Sequence, residues 1–176
     1  MPRIISIIGR KNAGKTSLVV ALARELRRGG HRLSTIKHAS HPALTDREGT
    51  DSWRHYNEGN AEQVMVASPT LRVLFERRPD DTDPETLARR YMAETELVLV
   101  EGFKSAPIPK IEVHRRIAGP LFYDPNAANA ELWIAIVTDD QILTVPPACR
   151  LLRFTDTMWL QVLGRLVLDR SKPLAP

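Results

Sequence analysis

A single cysteine, Cys149, in 176 residues leaves this chain without a disulfide of its own and without a multi-cysteine zinc site. Aromatic residues are only 6% of the chain. The arginines are dispersed, and no stacking platform or RNA-binding motif accompanies them, so a nucleic-acid partner is not expected. No apolar run approaches the length of a membrane span. The apolar stretch after Arg3 is too short for a secretory signal and reads as a strand. A cytoplasmic location with no membrane partner is the resulting expectation. The formal net charge of +4 is modest and suits small polyanions. Hydrophobic residues at 43% and charged residues at 26% are ordinary for a globular domain. The length predicts one domain over 1–170, with 171–176 as a flexible tail.

What is present is concentrated near the N-terminus. Gly9-Arg10-Lys11-Asn12-Ala13-Gly14-Lys15-Thr16 fits G-x-x-x-x-G-K-[ST], the phosphate-binding P-loop. Ile4, Ile5, Ile7 and Ile8 precede it as a β-branched run, and Leu18, Leu22 and Leu26 follow at helical spacing. Strand, glycine loop and helix are the context this motif needs. Gly9 and Gly14 allow the backbone to curl and aim its N–H groups at an anion. The helix N-terminus adds unpaired N–H groups and a positive dipole end. Candidate phosphate contacts are Gly9, Lys11, Asn12, Ala13, Gly14, Lys15, Thr16 and Ser17. Lys15 can reach the β and γ oxygens, and the Thr16 hydroxyl can ligate Mg²⁺.

The remaining elements follow from periodicity and turn chemistry. Strands are expected at 3–8, 32–37, 62–68, 71–77, 97–100, 111–114 and 132–137. Helices are expected at 15–28, 52–58 and 84–94, with a last one capped by Asp156 and ending near Leu168. In that last helix Trp159, Val162, Leu163, Leu166 and Val167 form an apolar stripe, read as packing on the sheet or as a dimer contact. Alternating strands and helices around a buried run imply an α/β, P-loop NTPase-type three-layer fold with a mainly parallel sheet. The 62–77 hairpin is expected to add antiparallel strands at one edge.

A P-loop protein needs an acidic group where a buried strand emerges near the metal. Leu97-Val98-Leu99-Val100-Glu101-Gly102 supplies Glu101. Asp46 and Asp51, with Ser52, lie in or beside the loop after the second strand, where a carboxylate could hold Mg²⁺ through water or serve only turn chemistry. Candidate catalytic residues are Lys15, Glu101 and Asp51, and candidate metal ligands are Thr16, Glu101 and Asp51. Lys37 and His38 are candidate phosphate or substrate contacts. With His41 they also suggest a zinc site, but further ligands are lacking. Asp139 and Asp140 follow a strand and could accept from guanine N1 and N2, or could form a turn.

Five stretches together resemble one family: IIGRKNAGKTSL at 7–18, TIKHASH at 35–41, the D-x-x-G-x-D-S-W-R-H pattern at 46–55, LVLVEGFK at 97–104 and PKIEVHR at 109–115. The chain resembles the molybdopterin-guanine dinucleotide biosynthesis protein B family, MobB, in their order and over most of its length to about residue 140. The resemblance implies a homodimeric GTP- and Mg²⁺-binding protein with weak GTPase activity. It implies assistance to the molybdenum cofactor guanylyltransferase, which joins GMP to molybdopterin, and contact with molybdopterin itself is a further possibility. Gly9 to Thr16 would bind phosphates, and Glu101 would be the acidic partner near magnesium. Asp51 and Ser52 would face the nucleotide, and Lys104 and Arg115 a shared cleft or the partner subunit. Thr50 stands where the family often has Lys. The alternative is an ATP-dependent small-molecule kinase or ligase on the same scaffold.

Overall fold

The computed structural model describes residues 1–39, 46–77 and 83–175. They fall into two compact units, 1–38 with 83–175, and 39 with 46–77.

The first unit is built on a seven-stranded sheet. Its strands are β1 (Arg3–Ile8), β2 (Leu33–Lys37), β5 (Leu97–Glu101), β6 (Lys110–His114), β7 (Trp133–Thr138), β8 (Arg150–Arg153) and the short β9 (Lys172–Pro173). The order is β2-β5-β1-β6-β7-β8, and every pairing along that path is parallel. Parallel strands covered on both faces read as unbroken apolar runs. Accordingly Leu97, Val98, Leu99 and Val100 are all buried, as are Ile4, Ile5, Ile7 and Ile8. β8 was not anticipated; Arg150-Leu151-Leu152-Arg153 is too short and too charged to show a period.

Two helices cover one face. α1 (Lys15–Arg28) buries Leu18, Val19, Leu22 and Leu26, and α4 (Trp159–Arg170) buries Leu163 and Val167 in the same cluster as Ile5, Ile7, Leu97 and Leu99. Of the stripe on α4, Leu163 and Val167 belong to the core and Trp159 and Leu166 pack against it, while Val162 is exposed. The N-cap of α4 is Met158, not Asp156, whose carboxylate instead accepts from the Arg153 N–H at 2.7 Å. α3 (Pro84–Tyr91) joins Ala88 to Ile4, Ile36, Val98 and Val100 in a separate cluster. Its predicted cap holds: the Asp83 side chain accepts from the N–H groups of Glu85 and Thr86, and Pro84 fills the first turn.

The 171–176 tail is not loose over its described residues. β9 pairs antiparallel with Arg3 and Ile4 of β1. β6 pairs with β1 only from Ser6 onward, so β9 occupies the place beside Arg3 and Ile4 that β6 leaves open. Arg3 Nε donates to Ser171 Oγ at 2.9 Å, and the Leu174 N–H donates to the Pro2 carbonyl at 2.9 Å. Leu174 is 1% exposed.

The second unit holds α2 (Asp51–Asn57), β3 (Gln63–Ala67) and β4 (Arg72–Glu76). The hairpin forms as expected, with Val64 opposite Phe75 and Val66 opposite Val73. It is a two-stranded sheet of its own, however, and not an edge of the main sheet.

The docked C-terminus predicts that Leu174→Ala lowers the unfolding free energy by about 2–4 kcal/mol, the usual cost of truncating a buried leucine. Urea denaturation would measure it, and unchanged stability would mean the segment contributes nothing.

Candidate functional site

Parallel register levels the ends of three strands. Ile7 of β1 and Lys37 of β2 both lie opposite Glu101 of β5. In a parallel sheet such partners project to the same face, and here Ile7 lies in the cluster under α1. Glu101 therefore emerges beside the start of α1. Its carboxylate accepts from the Thr16 hydroxyl at 2.9 Å to Oε1 and 3.0 Å to Oε2. Residues 85 positions apart in sequence thus meet as a hydroxyl and a carboxylate, two hard oxygen donors of the kind Mg²⁺ takes.

The loop between β1 and α1 has the strained backbone of an anion cradle. Gly9, Asn12 and Gly14 have φ of 148°, 63° and 99°. A Cβ on Gly9 would run into the Val113 carbonyl oxygen, whereas one on Gly14 would meet open space. The Lys15 ammonium arches back over the loop, donating to the carbonyls of Gly9 at 3.0 Å and Arg10 at 2.9 Å. Ala13 is buried, while Lys11, Asn12, Thr16 and Ser17 are exposed around the cradle. Among the described residues, no three His, Cys, Asp or Glu side chains gather into a metal cluster. An ion at Thr16 and Glu101 would depend on further oxygens from ligand phosphate or water, as P-loop sites do.

Gly102, at φ 100°, turns the chain directly after Glu101, and a Cβ there would come within 2.9 Å of His38 Cβ. The His38 N–H donates to the Glu101 carbonyl at 2.9 Å, and its ring lies 4.5 Å from that of Phe103. His38 thus borders the site, stacked on a neighbour. His41, the other half of the zinc suggestion, lies outside the described residues.

Asp51 and Ser52 belong to the second unit. Asp51 opens α2, and the Ser52 hydroxyl donates to Asp46. That hydrogen bond and the Arg47 N–H hold the Asp46 carboxyl below its ordinary pKa.

Asp139 and Asp140 follow β7 at the same edge of the main sheet as the loop after His114. Asp139 accepts from the Arg116 N–H at 3.0 Å and from Arg115 at 3.4 Å, and these donors lower its pKa. Asp140 accepts from the Ile142 N–H at 3.0 Å. Asp139 therefore ties its loop to the one after β6, while Asp140 braces its own turn. Behind them His114 is buried, its Nδ1 2.9 Å from Thr138 Oγ1 and its Nε2 3.1 Å from the Gly119 carbonyl.

Lys110 and Glu112 fall in the PKIEVHR stretch at 109–115, but nothing local marks either as buried or gives it a role. Lys110 and Glu112, each 1% exposed, lie on the face of β6 away from α1. Burial pushes the Lys110 ammonium down to about 8, and pushes the Cys149 thiol up to about 12, with Glu112 adding to the effect. Cys149 is therefore an inert core residue.

Residues 4–139 match the sequence model of a family described as molybdopterin guanine dinucleotide synthesis protein B. A Haemophilus influenzae protein, named molybdopterin-guanine dinucleotide biosynthesis adapter protein, is 40% identical over 114 residues, which are 64% of either chain. An Escherichia coli protein of the same name is 35% identical over 119 residues, 66% of this chain and 67% of that one. The aligned part is thus about two thirds of these relatives' length. The crystal structure of Bacillus subtilis MobB superposes with a TM-score of 0.68 at 25% identity, covering 97% of this chain and 98% of that one.

The two loop glycines predict different costs. Gly14→Ala is expected to lose about 1–2 kcal/mol from left-handed strain alone, and Gly9→Ala clearly more, because the Val113 strand must also move. Equal losses by chemical denaturation would contradict this. For Lys110 the pKa is 10.5 in the unfolded chain and about 8 when folded. Between those values the unfolded chain binds more protons, so the stability this group leaves rises with pH from about 8 to 10.5 and is at its lowest, and level, below 8 where both states are protonated. Wild type should gain on Lys110→Met between pH 7.5 and 9.5, by about 1 kcal/mol per pH unit at most. A flat difference would show that the ammonium is not desolvated.

Proposed function

The chain belongs to the molybdopterin guanine dinucleotide synthesis protein B family, and from that premise we propose that it is a GTP-binding adapter with weak GTPase activity. It would act as a homodimer in the cytoplasm. Its partner would be the guanylyltransferase that attaches GMP to molybdopterin. Its relatives are named as adapter proteins of this biosynthesis. The observation that carries the nucleotide part is the meeting of the Thr16 hydroxyl with both oxygens of Glu101 beneath the Gly9–Lys15 cradle.

Each residue has a definable task. The backbone N–H groups of the loop and the first turn of α1 receive phosphate oxygens. Lys15, now held by two carbonyls of its own loop, exchanges them for β and γ oxygens of the nucleotide and neutralises charge there. Thr16 and Glu101 would hold Mg²⁺, which when bound neutralises phosphate charge as bond cleavage proceeds. Lys37 and His38 would complete the contacts around the nucleotide. Asp139 stays ionised because its pKa is lowered, and it would accept from guanine together with Asp140. Neither a placed general base nor an arginine finger stands over the cradle among the residues assigned here, so hydrolysis is expected to be slow.

Calorimetric titration with GTP and with ATP, each with Mg²⁺, tests the reading. GTP should bind more tightly, and Lys15→Ala should remove most of that affinity. Equal or tighter ATP binding would instead favour a kinase or ligase. Glu101→Gln is expected to keep nucleotide binding and to lower Mg²⁺-dependent hydrolysis at least tenfold. Unaltered hydrolysis would reduce Glu101 to a strand-end residue.

A further inference from the structure

A single polar residue interrupts the isoleucine run of β1. Ser6 stands between Ile5 and Ile7 and is 0% exposed. It shares the sheet face away from α1 with Ile4, two residues earlier and also fully buried. On that face it lies level with Val100 of β5 and Lys110 of β6. A buried hydroxyl costs free energy unless it is hydrogen-bonded. Alanine would occupy the place with nothing to desolvate, so the hydroxyl needs a reason. Its partner is the carbonyl of Gly102, to which Ser6 Oγ donates at 2.5 Å. Gly102 is the residue directly after Glu101.

The turn that begins at Gly102 is strained. Gly102 has φ 100° and Phe103 has φ 50°. For a residue with a bulky side chain the left-handed region is disfavoured, because Cβ crowds the following carbonyl. Such strain persists only where the surroundings hold it. The Phe103 ring packs against the cluster of Ile4, Ile36, Val98 and Val100, 4.5 Å from the ring of His38. The Phe103 carbonyl accepts from the Ala106 N–H at 3.0 Å. Lys110, beside Ser6, donates to the carbonyls of Ala106 and Ile108 and fixes the far side of the same connection. Glu112 does the like for the next loop, accepting from the N–H groups of Phe122 at 2.7 Å and Tyr123 at 3.0 Å. Ser6 acts on the near side, one residue from the acid.

Glu101 is the last residue of β5, and strand ends open more easily than their middles. The ladder runs one bond past it: the Gly102 N–H donates to the Ile7 carbonyl at 3.0 Å, and the Glu101 carbonyl accepts from the His38 N–H at 2.9 Å. With Ser6 on the Gly102 carbonyl, the peptide groups on both sides of Gly102 are held. Without it, strain at Phe103 can relax by rotation at Gly102, which as a glycine resists least. The bond to Ile7 then opens, and the carboxylate loses its aim at Thr16. We infer that Ser6 is a positioning residue for Glu101, its hydroxyl pinning Gly102 so that the carboxylate stays against the Thr16 hydroxyl, where the two would share a divalent cation. This inference rests on the nucleotide and Mg²⁺ reading above, which gives Glu101 its task.

Two measurements on Ser6→Ala test this, with Ile4→Val as the control. In the metal-free protein, amide hydrogen exchange at Gly102 and His38 should speed up, while Leu99 in the middle of β5 stays protected. In protein loaded with a fluorescent GDP analogue, binding of Mn²⁺, the paramagnetic stand-in for Mg²⁺, is read by electron paramagnetic resonance. Ser6→Ala should weaken it about fivefold, the equivalent of one ordinary hydrogen bond. Affinity for the analogue in EDTA should stay at the wild-type value, because the phosphate loop is untouched. A merely structural serine would leave the cation unaffected, or would weaken cation and nucleotide together. Ile4→Val thins the same face of β1 without touching the turn and should keep both affinities. Equal Mn²⁺ affinity in wild type and Ser6→Ala overturns the positioning role, as does an equal loss in Ile4→Val. Failure of the analogue to bind wild type would overturn the phosphate-loop reading itself, and this inference with it.

Discussion

The parallel pairing of β1 with β5 is the constraint on which the site depends. It sets Ile7 level with Glu101, so the chain leaves both strands at the same height and on the same side. The loop after β1 and the acid after β5 then have no choice but to meet under the start of α1. That register is held by core contacts well below the site, chiefly Ile5, Leu97 and Leu99 against Leu22 and Leu26. A slip by one residue would turn Glu101 to the opposite face and separate it from Thr16.

The same sheet treats its two faces differently. Under α1 and α4 the packing is wholly apolar, and the glycine loop rests on it. On the other face β6 carries Lys110 and Glu112, whose bonds run outward to the loops at the sheet's edge. The apolar face supplies stability by area removed from water. The polar face supplies position, because a hydrogen bond has a direction and an apolar contact does not. His114 extends that face with a ring bonded between Thr138 and the Gly119 carbonyl.

Much of this was legible before any coordinates. The glycine spacing, the isoleucine run and the leucine stripe identify the cradle and its flanks, because each is a local pattern with one physical meaning. Asp83-Pro84 marks a helix start for the same reason. What escaped was set by distant partners. The final segment reads as a tail because Lys172-Pro173-Leu174 has no period, yet β1 offers it unpaired backbone groups beside Arg3 and Ile4. The hairpin at 63–76 has the alternation of a strand pair, but alternation does not say which sheet it joins. Asp139 and Asp140 read either as acceptors for a base or as a turn, and only folding brings Arg115 and Arg116 to one of them.

The sequence by itself determined the phosphate cradle, the strand that delivers Glu101, the helices that cover them and the family to which the chain is similar. These follow from periodicity, glycine conformation and side-chain chemistry, which act over a few residues. Tertiary structure alone decided that Thr16 faces Glu101, that the C-terminal segment closes the gap beside β1, and that Lys110 and Glu112 hold the loops around Phe122. Those outcomes depend on strand order and register, which are set by the burial of the whole core and leave no trace in any short stretch of the chain.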